Sequence, residues 1–590
     1  MDYSEKAARS SDYSPSGSGD LPIYGHSLNR HRPWTTRLIY SFKRDPNAHA
    51  TPSGAVGTDG RVYDVEEAAQ NTANSPLARH LKGRHLQMIA IGGSIGSGLF
   101  VGSGAALANG GPASLFLAYC IIGIMLYCTV HALGELAVLF PVAGSFSAYS
   151  TRFLDPAWGF AMGWNYAMQW LVVLPLEIVA ATLTIEYWTK KTISNDAWVA
   201  IFLVLIVVIN LFGVRGYGEA EFIFAIIKVV AVVGWIILGI ILNIGGGPDG
   251  SYIGGKYWHD PGAFNNGFKG LCSVFVTAAF AFAGTELVGL AAAETANPRK
   301  SLPTAIKQVF WRITLFYIVS LILVGLLVPY NDGSLLDGNN STDITASPFV
   351  IAIFNAGITG LPSVMNAVIM IAVLSVGNSS IYGSSRTLAA LAEQNQAPRI
   401  LGYIDRKGRP IVAIVLASVL GLLAFMAGSD NFQGEAFNWM LALSGLSSIF
   451  TWGSICLAHI RFRSAWKKQG HTLDELAFRS QPGVFGSWLG LIINCLVLIT
   501  QFWTAVWPIH YGTKTTKEIT IGFFQAYLAA PVVLTMYIAY KFWKKTPFMR
   551  SHNMDLHTGI RDLNVAELIA EERAERKSWP RYKRTYKYFC

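Results

Sequence analysis

The chain has 590 residues, of which 52% are hydrophobic and only 14% charged, with a formal net charge of +10. Its mean hydropathy is +0.37, and apolar runs longer than about 18 residues recur along it, which is typical of transmembrane helices and not of a soluble multidomain protein. The positive charge does not indicate nucleic-acid binding, because Lys and Arg lie in the tails and short loops without a basic stripe interleaved with aromatics.

Hydropathy divides the chain into three regions. Residues 1–84 are polar and rich in Ser, Gly and Pro, which predicts a disordered cytosolic tail. Residues 85–543 form one helical membrane domain, and residues 544–590 form a second cytosolic tail. We expect about twelve spans within the domain, with boundaries placed to within a few residues. They cover roughly 86–108, 113–139, 157–187, 197–214, 219–243, 268–293, 310–330, 362–388, 410–428, 437–460, 485–508 and 521–543.

Both termini are expected on the cytosolic side. An even number of spans places the two tails on the same side, and the loops of that side carry most of the loop Lys and Arg. The outer loop between spans 7 and 8 contains overlapping sequons at Asn339 and Asn340, whose use the sequence leaves open. The last residue, Cys590, is not part of a prenylation box, and either a free thiol or a palmitoylated one fits.

Span 1 contains the glycine-rich stretch Gly92–Gly104. Glycine destabilises a helix interior by about 1 kcal/mol relative to alanine, so this stretch favours an interruption at Gly96, Ser97 and Gly98. Unwound backbone survives in a membrane only where protein or a polar cavity satisfies it, and free amides there would hold an anion. The alternative is close helix packing through Gly-x-x-x-Gly spacing.

Span 6 has a matching interruption. Gly284, Thr285 and Glu286 lie near its middle, and span 6 corresponds to span 1 if spans 1–5 and 6–10 are two halves of one design. Paired glycine-interrupted spans are the sequence pattern of inverted-repeat transporters, and they favour interruption over packing.

Several ionisable side chains lie where a charge is unfavourable. Glu286 follows the second break, and we interpret it as a protonatable group beside a substrate or as a cap for freed backbone. Lys228 in span 5 either carries a coupling proton or reaches an interface. Glu177 in span 3 either lines the cavity or makes a structural hydrogen bond, and Glu135 in span 2 suits an inner gate or a packing ion pair.

Polar and aromatic residues of other spans are further candidates for the cavity wall. Asn378 in span 8 and Thr451 in span 10 would face the substrate side chain, and Phe280 and Phe282 would gate the site or simply pack. No spacing of Cys or His suggests a metal, and neither a dinucleotide fold nor a P-loop is present, so an enzyme is not expected.

Four segments resemble the fungal amino-acid permeases of the amino acid–polyamine–organocation superfamily, most of all the general amino-acid permease branch. They are Gly92–Phe100, Gly163–Val179, Phe280–Gly289 and Val373–Tyr382. The resemblance covers about residues 78–590. It implies an all-α polytopic protein with a LeuT-type 5+5 inverted repeat, discontinuous spans 1 and 6, and proton-coupled uptake at the plasma membrane.

The resemblance also implies roles for individual residues. The backbone of Gly96, Ser97 and Gly98 would bind the substrate α-carboxylate, and the carbonyls of Phe280, Ala281, Phe282 and Ala283 would hold the α-ammonium. These roles agree with the polarity of half-helix ends. Phe280 would be the aromatic lid and Lys228 the proton carrier. Lys6 and a helix predicted at Asp562–Arg576 resemble regions that trafficking and ubiquitin-ligase proteins use.

The sequence therefore predicts an amino acid:proton symporter of broad specificity that uses protons and no cofactor. Its expected partners are the amino acid, membrane lipid and the trafficking machinery, but not nucleic acid. Proton coupling would involve Lys228 or Glu286, and Glu177, Asn378 and Thr451 would set side-chain selectivity. The alternatives are a narrow-specificity permease and an amino-acid sensor that does not transport.

Overall fold

The computed structural model describes residues 34–44, 63–93, 95–189, 192–248, 250–337, 347–428, 433–560 and 578–580. In these residues the chain is helical, with two isolated β-bridges and no strand. The α-helices are Trp34–Ser41, Val65–Ala73, Gly83–Gly92, Ser97–Phe100, Gly102–Leu139, Phe146–Phe153, Pro156–Thr189, Asn195–Leu211, Gly213–Asn243, Gly267–Phe282, Leu287–Leu290, Pro298–Trp311, Ser320–Leu327, Gly333–Asp337, Pro348–Asn355, Leu361–Glu393, Ile411–Gly421, Gln433–Lys468, Gly483–Val506, Thr516–Tyr527 and Ala529–Lys544. Short 3₁₀-helices cover Ala291–Glu294, Arg399–Gly402, Leu422–Gly428, Leu473–Glu475 and Tyr511–Thr513, and π-helices cover Trp258–Gly262 and Arg312–Val319.

Length and composition identify the membrane helices. Within the described residues, 8 helices are long and apolar enough to cross a bilayer, and one further pair is bent by 59° between Tyr527 and Ala529. Two shorter apolar helices, Asn195–Leu211 and Ile411–Met426, coincide with predicted spans 4 and 9. The chain is thus an all-α polytopic membrane protein. The count of twelve spans and the 5+5 repeat stay predictions.

The helix Gly102–Leu139 combines the end of span 1 with span 2. Gly111 interrupts it with a φ of 79°, a left-handed value that glycine adopts freely, and Pro112 restarts the helix. The interruption lies between the predicted ends of spans 1 and 2. The chain therefore turns at Gly111 and Pro112, within the range Gly102–Leu139, because a sharp connection between two spans needs a glycine and a proline there.

The interrupted spans lie at the centre of the helix assembly. Span 3 packs along span 8, span 6 packs along span 2, and span 10 packs against spans 3 and 11. One continuous cluster of buried apolar side chains joins these helices. The buried ionisable groups are located within this assembly, while spans 4, 5, 9, 11 and 12 expose apolar side chains on their outer faces.

Part of the region expected to be a disordered tail is folded. Asp64 caps the helix Val65–Ala73 by accepting hydrogen bonds from the amides of Glu66 and Glu67. This helix is anchored by a hydrogen bond from the Ala143 amide to the Thr72 carbonyl. The expectation of disorder throughout residues 1–84 differs from this result, because capping and contacts with the membrane domain supply the stability that a polar sequence lacks by itself.

The segment that follows the last span also contacts the membrane domain. Arg461 donates to the carbonyl of Met549, and Arg152 donates to the carbonyls of Asp555 and Thr558 at 2.5 and 2.8 Å. Residues up to 560 are therefore attached to the helix Phe146–Phe153 between spans 2 and 3 and to the end of span 10. Lys6, Asn339, Asn340, Cys590 and the predicted helix Asp562–Arg576 lie outside the described residues.

Candidate functional site

Span 1 is interrupted between the helices Gly83–Gly92 and Ser97–Phe100. The interruption brings the backbone close to its neighbours, because a Cβ on Gly96 would lie 2.5 Å from Cγ2 of Val376 in span 8. Close packing also occurs here, since a Cβ on Gly92 would lie 2.4 Å from the Cβ of Ala225 in span 5. Both interpretations of the glycines, a break and close packing, therefore hold in the structure.

Span 6 is interrupted after Phe282. Ala283 leaves the helix with a ψ of 143°, and Gly284 has a φ of 96°. The half-helix ends beside the two breaks touch, because a Cβ on Gly98 would lie 2.5 Å from the Cα of Ala281. Of the residues predicted to interrupt span 1, Ser97 and Gly98 are helical, and the interruption ends at Gly96. The N-terminal end of one half-helix and the C-terminal end of the other thus meet at one point, which suits an anion and a cation respectively.

Three of the four span 6 carbonyls predicted to hold an ammonium already accept hydrogen bonds. Phe280 accepts from the Ala283 amide at 3.1 Å, Ala281 from the Tyr317 hydroxyl at 2.8 Å, and Phe282 from both the hydroxyl and the amide of Thr285, at 2.7 and 3.4 Å. A carbonyl oxygen has two lone pairs, so the Phe280 and Ala281 carbonyls retain capacity for a second donor, whereas that of Phe282 is already doubly bonded. These contacts orient the carbonyls and leave those of Phe280 and Ala281 able to bind a cation.

Glu177 reaches the break in span 1. The Ser97 hydroxyl donates to Oε1 of Glu177 at 2.7 Å, and a Cβ on Gly96 would lie 3.6 Å from the same oxygen. Oε2 of Glu177 has no hydrogen-bond partner among the residues that the structure describes. The Glu177 carboxylate therefore lies beside the amides that were predicted to bind an anion, and not only along the cavity wall.

Lys228 lies at the end of the first half of span 1. Its ammonium donates to the Gly92 carbonyl at 2.5 Å and to the Ser375 hydroxyl at 2.8 Å, and it is paired with Glu221 at 3.4 Å. Lys228 and Glu221 are both 0% exposed. The Ser375 hydroxyl donates in turn to Glu221 at 2.7 Å, which links span 5 to span 8. The side chain of Lys228 does not reach an interface.

Glu221 is a site residue that the sequence interpretation missed. It stands seven positions before Lys228, a spacing that places two residues on the same face of a helix about two turns apart. That spacing was the available signal. It was overlooked because Glu221 lies at the start of the apolar run, where a charge is common.

Glu286 connects spans 3, 6 and 10. Its carboxylate accepts from the Tyr166 hydroxyl at 3.1 Å, from the Trp452 indole at 3.1 Å and from the Gly284 amide at 3.1 Å. The side chain is fully buried. Three converging donors suit an ionised carboxylate and hold the second break in position.

The remaining predicted residues contact other spans. Asn378 accepts from the Asn210 side chain of span 4 at 2.8 Å, and Thr451 accepts from Asn165 of span 3 at 3.3 Å. Phe282 packs against Tyr317 with ring centroids 4.3 Å apart, whereas Phe280 is almost fully buried next to Gly445. Their hydrogen bonds and ring contacts join helices, and only Glu177 among the predicted selectivity residues hydrogen-bonds a break.

Glu135 forms a buried ion-pair cluster towards the end of span 2. It pairs with Arg463 at 2.5 Å and with His459 at 3.1 Å, and it accepts from the Ser480 amide at 2.7 Å. The cluster links span 2 to span 10 and to the loop that precedes span 11. Among the described residues, no group of three or more His, Cys, Asp or Glu side chains is arranged to hold a metal ion.

Comparison with known proteins gives consistent matches over most of the chain. A family model described as amino acid permease matches residues 85–553. A general amino-acid permease of Candida albicans is 62% identical over 91% of this chain and 91% of its own length. A general amino-acid permease of Saccharomyces cerevisiae is 57% identical over 91% of this chain and 89% of its own. Among solved structures, an Eremococcus coleocola manganese transporter aligns with a TM-score of 0.48 and 12% identity, over 86% of this chain and 97% of that one.

Proposed function

We propose that this chain, which belongs to the amino acid permease family, is a plasma-membrane amino acid:proton symporter that imports L-amino acids of many kinds by alternating access. The observation that carries the proposal is the contact between the two breaks at Gly98 and Ala281. The names of the two relatives, both general amino-acid permeases, support broad specificity. The family is one of transporters and not of enzymes.

The two breaks would recognise the part that all amino acids share. We assign the substrate α-carboxylate to the backbone of Gly96, Ser97 and Gly98, where a half-helix begins. The α-ammonium is assigned to the carbonyls of residues 280–283, of which those of Phe280 and Ala281 accept one hydrogen bond each and retain a lone pair. Because this recognition uses backbone groups alone, it does not depend on the substrate side chain, and broad specificity follows.

Phe280 would close over the bound substrate, and Glu177 would contact it directly. Asn378 and Thr451 would act on selectivity through the helices that they join, because each is hydrogen-bonded to an asparagine of a neighbouring span. Phe282 would support the site from behind through its ring contact with Tyr317. A substitution at Asn378 or Thr451 is therefore expected to change substrate ranking by moving a helix.

Proton coupling is proposed at Lys228. Among the residues that the structure describes, five buried acidic or basic side chains lie at or near the breaks, namely Glu177, Glu221, Lys228, Glu286 and Arg312. If all are ionised, they carry one net negative charge, and loss of the Lys228 proton would double it in a site shielded from water. Lys228 is therefore expected to keep its proton in the closed site and to release it when the site opens to the cytosol.

Glu286, the other predicted proton group, would have a different role. Its three donors stabilise the ionised form, so we assign it as a fixed anion that holds the second break. A substrate carboxylate bound next to Glu177 would add a second negative charge at the first break. A proton bound within the site offsets this negative charge and weakens the repulsion between Glu177 and the substrate carboxylate. Substrate binding and proton binding therefore favour each other.

Uptake of radiolabelled amino acids in transport-deficient cells tests the proposal. We expect accumulation of neutral, acidic and basic amino acids, and we expect a protonophore to abolish it. Accumulation of one charge class alone would favour a narrow-specificity permease. Binding without any uptake would favour a sensor, and accumulation that a protonophore leaves unchanged would contradict proton coupling.

The remaining expectations concern the cell. We propose that both termini are cytosolic, as the loop charges indicate, and that the tails bind trafficking and ubiquitin-ligase proteins. The bilayer would contact the exposed apolar faces of the outer spans. Protons are the proposed coupling ion, and no further cofactor is proposed.

A further inference from the structure

Arg312 in span 7 contacts both interrupted spans. Its guanidinium donates from Nη1 to the Ala90 carbonyl at 2.6 Å and from Nη2 to the Thr285 hydroxyl at 2.7 Å. The side chain is 1% exposed. Ala90 belongs to the last turn of the helix Gly83–Gly92, and Thr285 lies in the break of span 6, two residues before its second half, Leu287–Leu290. One buried cation therefore connects the first half of span 1 with the segment that leads into the second half of span 6.

The backbone of span 7 is adapted to this contact. Arg312 begins the π-helical segment Arg312–Val319, whose wider turns bring residues five positions apart onto one face. Tyr317 stands five positions on, with its ring centroid 5.7 Å from the Arg312 guanidinium, and its hydroxyl donates to the Ala281 carbonyl at 2.8 Å. The π-helix thus aims two side chains at the breaks, and such segments are frequent at functional sites.

Two cations hold the end of the first half-helix of span 1. Lys228 binds the Gly92 carbonyl from span 5, and Arg312 binds the Ala90 carbonyl from span 7. Both positions are favourable, because the C-terminal end of a helix attracts positive charge. They differ in one respect, since an arginine keeps its proton under all cellular conditions whereas a buried lysine can lose it.

We propose that Arg312 is a positioning residue that fixes the first half of span 1 to the second half of span 6, so that these two half-helices move as one body during transport. The proposal rests on the proposed function. The bond of Arg312 persists through the cycle, and the bond of Lys228 to the same helix end changes with proton release. When Lys228 loses its proton, its bond to the helix end would weaken, and both half-helices would become free to move together.

Thiol labelling of two buried positions tests the coupled movement. Ile89→Cys reports on the first half of span 1 and Val288→Cys on the second half of span 6, and the two native side chains are 0% and 1% exposed. Each is labelled from the cytosolic side in inside-out vesicles without substrate, and the labelling of the parent chain is subtracted. With Arg312 present, we expect slow labelling with similar rates at both positions.

Arg312→Met is expected to separate the two rates. Labelling at residue 89 should become faster by about tenfold, the shift expected from losing a charge-assisted hydrogen bond, while residue 288 stays protected. Arg312→Lys keeps the charge but reaches one acceptor at a time, so its effect should be smaller. Tyr317→Phe, which removes a hydrogen bond to the opposite half of span 6, is the matched control and should leave residue 89 protected.

Equal increases at both positions would mean that Arg312 only stabilises the fold, and an unchanged rate at residue 89 would also overturn the proposal. If Arg312→Met does not fold, Thr285→Val removes the span 6 acceptor and should produce the same separation. Labelling needs no transport, so the test is independent of the uptake assay. If the parent chain fails to accumulate amino acids but its Arg312→Met variant shows separated labelling rates, the proposed function is contradicted and the coupling of the two half-helices is supported.

Discussion

Replacing Gly98 with alanine tests whether contact between the two breaks defines the substrate site. A Cβ at residue 98 would lie 2.5 Å from the Cα of Ala281 and 2.9 Å from its amide nitrogen. Ordinary van der Waals contact begins at 3.4 Å, so the breaks must separate by about 0.9 Å. The atoms in the way belong to backbone, which cannot rotate aside as a side chain can.

A displacement of this size is expected to lower the efficiency of uptake strongly. Misplacing binding groups by about 1 Å lowers the efficiency of a site by up to about 100-fold, which corresponds to about 2.7 kcal/mol. The Gly98→Ala variant should therefore lose about 100-fold in Vmax/KM for amino-acid uptake. The change should be similar for neutral, acidic and basic substrates, because the breaks bind the part that these substrates share.

Uptake must be normalised to the amount of protein at the cell surface, which surface biotinylation measures. Gly234→Ala is the matched control, because nothing lies within 4 Å of a Cβ at that position in span 5. Ala281→Gly should rescue Gly98→Ala only weakly, since it removes one contact at 3.0 Å and leaves the closer ones. Parental Vmax/KM in Gly98→Ala at parental surface amount would refute the reasoning.

Three further predictions concern charged side chains, two of them within the membrane domain and one in the C-terminal segment. Glu286→Gln places an amide NH₂ among three donors and should abolish concentrative uptake, and normal accumulation at normal surface levels would exclude a role for the carboxylate. Lys228→Met leaves Glu221 as a buried unpaired charge and should destabilise the protein by about 3–5 kcal/mol in thermal unfolding. Adding Glu221→Gln should restore stability but not proton-driven accumulation. Restored accumulation in the double variant would show that Lys228 carries no proton. Burial opposes ionisation of Asp555 in the C-terminal segment, but Arg152 and the hydrogen bonds from His557 and Thr558 together outweigh it and lower the pKa of Asp555. The Arg152–Asp555 ion pair therefore stabilises docking above the usual Asp pKa of about 3.9 and is lost as the pH falls further. Proteolysis of that segment in detergent should therefore increase at acidic pH, and Asp555→Asn should show the higher rate already at pH values of about 7; equal rates in the two chains would contradict the assignment.

The sequence indicated the two breaks to within a few residues, because clustered glycines destabilise a helix and are therefore unfavourable inside long apolar spans unless the helix is interrupted or closely packed there. For Lys228 it left two positions open, beside the first break or at an interface, and the structure has the buried one. The sequence was less informative about the direction in which a side chain points from its helix. Phe282 and Asn378 are buried, yet each contacts a neighbouring helix, since the face that a side chain takes depends on how the helices are rotated against one another.

Arg312 shows a second limit of sequence interpretation. It lies near the predicted start of span 7, where a basic residue normally indicates the membrane interface. In the structure the helix begins earlier, at Pro298, and the π-helical segment turns Arg312 inwards. The helix Val65–Ala73 was missed for a different reason. Its signal, an acidic cap followed by acidic residues in the first turn, was present in the sequence, but the polar composition of the tail outweighed it.

The described part of the N-terminal region is attached to the membrane domain at several places. The Arg406 amide and the Tyr403 hydroxyl donate to carbonyls of residues 42 and 43, and the hydroxyls of Tyr63 and Ser75 bond to the end of span 8. Span 8 in turn contributes Ser375 to the Lys228 cluster. If a conformational change of span 8 alters these attachments, thermodynamic linkage requires the reverse effect with the same free energy. A cytosolic protein that binds the released N-terminal region would then change the affinity for amino acids outside the cell, and extracellular amino acids would change the affinity of the tail for that protein.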